Sequence, residues 1–340
     1  MKKQLTKNFI IFSLTGIFLL SGCGTATSSD SSAEVTQTTE TEFPEEMYTQ
    51  VDTIEEALAE TPVPLAGNPT GTAFQTASAP GTVVYSGNKD VTIDASNTSK
   101  GYVMIKCAGS DAKLKVIITG PSGVKYTYNL NNNGNYETFV LSDGNGTYQI
   151  GVYENISGTK YSVLLTQQIN VSLENEFVPF LCPNQYVNFN ENSQVVALAK
   201  SLTAGKTNDL DKVQAIYNYV IKNISYDTQK AQTVQSGYLP NVDEILKTKK
   251  GICFDYAAVM TAMLRSQNIP TKLVVGYTGS AYHAWISTYT PETGWVEGII
   301  FFDGVSWKLM DPTFASSANS SDAIMKYIGD GKNYTEKFLY

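Results

Sequence analysis

The stretch from Gly251 to Pro270, GICFDYAAVMTAMLRSQNIP, constrains this chain more than any other. Between Phe254 and Leu264 only Asp255 and Thr261 are polar. A helix that is apolar nearly all round cannot lie on the rim of a domain, so the pattern predicts a buried central helix with other elements packed about it. Gly251 lets the chain turn tightly into the helix. Asn268 tolerates a left-handed cap and Pro270 cannot continue the ladder, so the helix ends there. Cys253 falls in the first turn, where unpaired N–H groups and the positive end of the helix dipole favour a thiolate over a thiol. Lys249 and Lys250 add positive charge just upstream. That is the environment of a nucleophile.

A cysteine nucleophile needs a proton partner, and the chain has a single histidine, His283, in the segment AYHAWIST. If an imidazole serves as the base, it is this one. Tyr282 to Thr288 reads as a strand on which His283, Trp285 and Ser287 share one face and Tyr282, Ala284 and Ile286 the other. Further on, VSWKLMDPTF reads as a second strand ending at Asp311, stopped by Pro312. A carboxylate there would fix the imidazole tautomer and stabilise the imidazolium.

At these residues the sequence resembles the transglutaminase-like superfamily, whose fold is related to that of papain-like cysteine proteases. The matching pieces are KKGICFDYAAVMTAMLRSQNIPTKLVVGY, then YHAWI, then WKLMDPTF, in that order. The resemblance implies Cys253 as nucleophile, His283 as general base and acid, and Asp311 as the residue that orients the histidine. An oxyanion donor is also needed. The backbone N–H of Cys253 is one candidate. In the animal enzymes a tryptophan upstream of the nucleophile serves, but here Trp285, Trp295 and Trp307 all lie downstream. Tyr226, in NISYD, is the substitute candidate, its alternative role being simply to pack against the cysteine helix. The segment PETGWVEGIIFFDG between histidine and aspartate looks like an inserted β-hairpin. The calcium sites and flanking barrels of the animal enzymes have no counterpart, and no EF-hand or HExxH pattern occurs, so neither a metal nor a cofactor is expected.

The chain begins with Lys2, Lys3 and Lys7, then the apolar run FIIFSLTGIFLL, then Ser21, Gly22 and Cys23. Residues 1–22 read as a secretory signal, and the LSGC ending resembles a bacterial lipobox, which implies cleavage before Cys23 and lipidation of its thiol. The mature protein would then be held on the outer face of a cell membrane by lipid, without a spanning helix. Residues 23–80 are rich in Ser, Thr, Pro and Glu. No Lys or Arg occurs between Lys7 and Lys89, while ten acids lie between Asp30 and Glu60. Removing three lysines with the signal takes the formal charge from −8 to −11, and the ten acids account for nearly all of it. This segment reads as a solvated acidic tether, with a helical turn or two around TIEEALAE. The remainder is close to neutral, and nothing in it points to nucleic acid, which would call for a basic patch with interleaved aromatics.

From about residue 81 to 175 the chain is a series of short alternating runs, TVVYS, DVTID, GYVMIKC, LKVIIT, VKYTYNL, YETFVLS, TYQIGVY and KYSVLLT, joined by SGN, GPSG, NNNGN, SDGNG and SG. Such spacing predicts an antiparallel β-sandwich of Ig-like character. Cys107 shares a strand face with Val103 and Ile105 and reads as a core residue. A disulfide from it to Cys182, in the connection PFLCPNQ, is chemically allowed outside the cell, but the phase of Cys107 argues against it. Residues 176–340 open with helices over SQVVALAKSLTAG, DLDKVQAIYNYVIKNI and NVDEILKT, the last capped by Asn241. The cysteine helix and the strands TKLVVGY, AYHAWIST, GWVEGIIFF and VSWKLM follow. Helices first and antiparallel strands after make an α+β domain, papain-like by the resemblance.

The leading expectation is a surface lipoprotein with a transglutaminase-like cysteine acyltransferase or amide hydrolase, acting on protein or cell-wall peptide amides. A cysteine protease is the alternative within enzymes. A binding or scaffold protein with a vestigial triad, its sandwich holding a surface polymer, is the alternative outside them. Nothing in the sequence argues for an oligomer.

Overall fold

The strand–turn alternation of the N-terminal half becomes two antiparallel sheets. The computed structural model describes residues 40–42, 74–278, 281–291, 293–296, 300–302, 307–309 and 334–340. The strands are β1 (Glu40–Glu42), β2 (Val84–Ser86), β3 (Thr92–Asp94), β4 (Tyr102–Lys106), β5 (Leu114–Thr119), β6 (Lys125–Leu130), β7 (Glu137–Val140), β8 (Gly146–Ser157) and β9 (Lys160–Val171). One sheet has the order β1-β9-β8-β5-β6, the other β2-β3-β4-β7. Leu114, Val116 and Ile118 of β5 point inward at every second position, as the run LKVIIT requires, and share one core with Ile93, Val103, Ile105 and Phe139 of the other sheet. The hairpin arms β8 and β9 run on to Ser157 and Val171, past the predicted TYQIGVY and KYSVLLT. The extra residues ENIS do not alternate, so the backbone ladder carries the end of β8, whereas in QQINV Ile169 and Val171 are buried in the core with Gln168 and Asn170 exposed beside them.

Within the stretch read as a tether, Glu40–Glu42 pair with Ser162, Tyr161 and Lys160 at the free edge of β9. Residues 74–80 also lie against the fold: the rings of Phe74 and Phe189 meet at a tilt with centres 5.6 Å apart, and Ala77 and Ala79 pack on Tyr102, Met104 and Cys182. The solvated-tether description therefore does not extend to these two pieces; edge pairing and apolar contact hold them. The expected turn around TIEEALAE lies outside the described residues.

The C-terminal half contains α1 (Gln194–Thr203), α2 (Asp209–Asn223), β10 (Ser225–Tyr226), α3 (Thr228–Thr233), α4 (Val242–Thr248), β11 (Lys250–Gly251), α5 (Cys253–Ser266), β12 (Thr271–Thr278), β13 (Ala281–Thr290), β14 (Gly294–Val296), β15 (Ile300–Phe302), β16 (Trp307–Leu309) and β17 (Tyr334–Leu339). From Asp255 to Ser266 every residue of α5 is buried, with α1, α2, α4 and the β12–β13 pair packed around it. Asn208 and Asn241 cap α2 and α4 by accepting from the N–H of Asp211 (2.7 Å) and Glu244 (3.1 Å). Asn268, at φ 61°, takes the left-handed conformation that ends α5.

The sheet behind α5 has the order β14-β13-β12-β17. Two features differ from the sequence expectation. GWVEGIIFF is not one strand of an inserted hairpin: β14 extends the main sheet beside β13, while β15 pairs with β16. β17, which carries no strong alternation signal, closes the other edge of β12. Arg265 locks this arrangement. It is fully buried and donates four hydrogen bonds to the carbonyls of Thr271, Cys182 and Tyr340, at 2.6 to 2.9 Å.

The two halves share one contiguous core, in which Tyr126 and Tyr128 from β6 meet Tyr186 and Tyr340. Cys107 and Cys182 are buried, unbridged and in separate clusters. Each thiol has its own oxygen neighbour, Lys89 O at 3.2 Å and Gln75 Oε1 at 3.0 Å. Burial pushes both thiols up, Cys182 to about 12.

Candidate active site

Cys253 is the first residue of α5, and Ile252 before it is extended, at φ −92° and ψ 177°. The first turn closes with Asp255 N–H to Ile252 O at 2.9 Å, so the N–H groups of Cys253 and Phe254 precede the helical ladder. The short parallel pair β10–β11 sets what lies beside this turn. Tyr226 is in register with Gly251, Ser225 N–H donates to Lys249 O (3.0 Å) and Asp227 N–H to Gly251 O (2.9 Å). A strand of two residues thus carries Tyr226 to within two positions of the cysteine.

His283 lies on β13 opposite Gly276 of β12. The alternation read from the sequence is present: Ala284 and Ile286 join the core around α5, as do Leu273 and Val275 from β12. A Cβ placed on Gly276 would stand 2.0 Å from Thr335 O and 2.8 Å from Trp285 Cη2, so Trp285 covers the position opposite the histidine. The chain passes there only as glycine.

A cavity of about 370 Å3 has both Cys253 and His283 in its wall, together with Tyr226. Tyr186, Tyr238, Phe254, Tyr282 and Tyr340 bring aromatic rings to its other walls. The structure therefore brings three of the sequence-derived candidates to one cavity. Cys253 is half-buried and His283 is only 9% exposed. Asp311 and Cys23 lie outside the described residues.

Sequence reasoning missed what stands behind the cysteine. Asp255, fully buried, accepts from Ile252 N–H (2.8 Å), Lys230 Nζ (2.6 Å) and Tyr238 Oη (2.6 Å). Lys230 also donates to the Tyr238 hydroxyl at 2.6 Å and lies 4.2 Å from its ring centre. The carboxylate thus fixes the first turn of α5, and the lysine neutralises it. Burial, and then Asp255, raise the Tyr238 pKa well above the ordinary phenol range. Its proton is committed to Asp255, which sets Tyr238 aside as an oxyanion donor; Tyr226 lies in the same wall as Cys253. The available signal was Asp255 itself, because a carboxylate in an otherwise apolar buried helix requires a partner.

Residues 196–298 match the family model described as the transglutaminase-like superfamily. The chain is 33% identical over 123 residues to the uncharacterized protein YebA of Bacillus subtilis, covering 30% of this chain and 17% of that protein. It is 27% identical over 119 residues to the kyphoscoliosis peptidase of Mus musculus, covering 35% and 18%. It is 32% identical over 68 residues to a protein-glutamine gamma-glutamyltransferase of Pseudomonas aeruginosa, covering 16% and 10%. These three matches span less than a fifth of each relative's own length. Among solved structures, red sea bream transglutaminase aligns over 69% of this chain and 55% of its own, at 12% identity and a TM-score of 0.27.

Proposed function

We propose that this chain, whose residues 196–298 form a transglutaminase-like domain related to transglutaminases and cysteine proteases, is a cysteine acyltransferase or amide hydrolase that acts outside the cell. Cys253 is the nucleophile, His283 the base and acid, and Asp311 the residue that orients the histidine. The observation that supports this is the shared cavity, with Cys253 at a helix N-terminus and the chain's single histidine in the same wall. The Cys253 thiolate attacks an amide carbonyl of a protein or cell-wall peptide and forms the C–S bond. The oxyanion is met by the Cys253 N–H and by Tyr226. The His283 imidazolium then gives its proton to the departing amine as the C–N bond breaks, leaving a thioester. An incoming amine or water loses its proton to His283 and releases the cysteine. The aromatic walls favour the methylene part of a glutamine or lysine side chain and exclude bulk water.

We read the N-terminal sheets as an Ig-like sandwich, supported by the Tyr148 hydroxyl donating back to Gly144 O at 2.9 Å. Cys23 carries the lipid that holds the protein on the outer membrane face. The test is incubation of the full chain with a glutamine-rich protein and a fluorescent primary amine, with ammonia and new N-termini measured in parallel. Amine incorporation identifies a transamidase, ammonia alone an amidase, and new N-termini the protease alternative. Each is expected to vanish in Cys253→Ala. A signal that persists in that variant, or no reaction of the wild type in any of the three arms, refutes the catalytic reading and leaves a scaffold.

A further inference from the structure

One wall of the Cys253 cavity is built unlike the others. Ile252, Val275, Ala284 and Tyr340 line the cavity and are each no more than 7% exposed, so those walls belong to the core. Ala231, Val234, Gln235, Ser236 and Tyr238 line it as well, but they come from residues 228–239, none of which is buried. This wall has the cavity on one side and water on the other. Within it, Val234 N–H donates to Lys230 O (2.8 Å) and Tyr238 N–H to Gln235 O (3.2 Å), bonds that stay inside the segment. Among the described residues, the side-chain hydrogen bonds that leave the segment both end on Asp255, from Lys230 Nζ and from the Tyr238 hydroxyl, each at 2.6 Å. Gly237, at φ +83°, turns the chain between Ser236 and Tyr238, and a Cβ there would stand 2.4 Å from Asn129 Nδ2, so the turn runs close against β6.

A segment that buries no side chain has little packing of its own to resist opening. What closes it is a pair of charge-assisted hydrogen bonds to one buried carboxylate, a short and directional contact that lifting the chain would break. The cavity behind it holds no Asp, Glu, Lys or Arg in its lining, and about 370 Å3 is near the small end for a ligand site. With the wall closed, an uncharged, unbranched side-chain amide fits. A branched acyl group needs more room, and this wall alone can yield it, because displacing the others would open the core. We propose that residues 228–239 are a flap that selects by size the acyl group that reaches Cys253, with the Tyr238 hydroxyl on Asp255 as its latch. Tyr238 is thus a positioning residue, acting through the flap and not on the substrate. The selection rests on the role of Cys253 as the nucleophile.

The test compares the rates at which iodoacetamide and the branched N,N-diethyl-2-iodoacetamide alkylate Cys253 in the native full chain, followed by mass spectrometry. The ratio of the two rates with glutathione corrects for the reagents themselves. In the wild type the small reagent should be favoured at least about tenfold beyond that reference. Tyr238→Phe, which keeps the ring beside Lys230 and removes only the latch, should shrink the preference at least about fivefold, chiefly by speeding the branched reagent. Val234→Trp leaves the Asp255 network untouched and should widen the preference, which keeps the test open should the first variant unfold. General loosening of the fold would speed both reagents and leave their ratio as it was. A wild-type ratio equal to that of glutathione, or one that neither variant moves, overturns the flap while leaving the nucleophile in place. No alkylation of wild-type Cys253 by either reagent overturns the nucleophile, and the flap with it.

Discussion

Replacing Lys230 with methionine probes the network behind Cys253 most directly. The substitution keeps the stem and removes the cation 2.6 Å from a carboxylate that is fully buried. Tyr238 Oη and Ile252 N–H stay within reach of Asp255, but neither neutralises it. Breaking a buried ion pair by removing one partner costs about 3–5 kcal/mol. The lysine side chain is 27% exposed, so water can partly replace it, and the expected loss lies toward the lower end, about 3 kcal/mol. For a folded part of this size that corresponds to a fall of about 6–12 °C in Tm. Asp255→Asn removes the charge that needs the lysine, so the double variant Lys230→Met/Asp255→Asn should lose less than the two single losses added, by at least about 1.5 kcal/mol. Urea unfolding followed by circular dichroism gives all four corners of the cycle. Native iodoacetamide labelling of Cys253 on the same samples reports whether the first turn of α5 has loosened. A Lys230→Met protein within about 0.5 kcal/mol of wild type, or a cycle that adds without coupling, refutes the argument that this pair sets the turn.

Three further outcomes are expected. Gly276→Ala places a Cβ 2.0 Å from the backbone oxygen of Thr335, which cannot swing away. It should therefore cost at least about 2 kcal/mol and speed amide exchange along β17, whereas an unchanged Tm would show that the edge yields freely. Arg265→Met removes four buried hydrogen bonds to the oxygens of Thr271, Cys182 and Tyr340, of which Tyr340 O keeps the Leu273 N–H, for a loss of about 3 kcal/mol or more in urea unfolding. Arg265→Lys should rescue little of it, because an ammonium cannot reproduce the fork. Of the three described cysteines, only Cys253 should react with iodoacetamide in the folded protein near pH 8. Burial raises the pKa of Cys107 and Cys182, so at any pH below those raised values their thiolate fraction is smaller than that of an ordinary cysteine; their labelling should wait for high pH or denaturant. Equal labelling of Cys182 and Cys253 by mass spectrometry under native conditions would contradict this.

Features with local periods were legible in the amino-acid order alone. LKVIIT alternates and is a strand over those same residues; GICFDYAAVMTAMLRSQNIP is apolar all round and is the helix that every neighbour packs against; Asn208, Asn241 and Asn268 sit where caps belong. The positions of Cys253 and His283 on a helix start and a strand followed from the same periods. Partner choice was not legible. Nothing in YTEKFL announces that it will close the edge of β12, and nothing near Asp255 in the chain shows that Lys230 and Tyr238 will meet it. The shared core of the two halves is likewise a product of segments distant in sequence. Periodicity records which face of an element is apolar, a property of neighbouring residues. Which distant groups then satisfy a buried charge, a free strand edge or an amide depends on how the whole chain packs, and only the tertiary structure decides that.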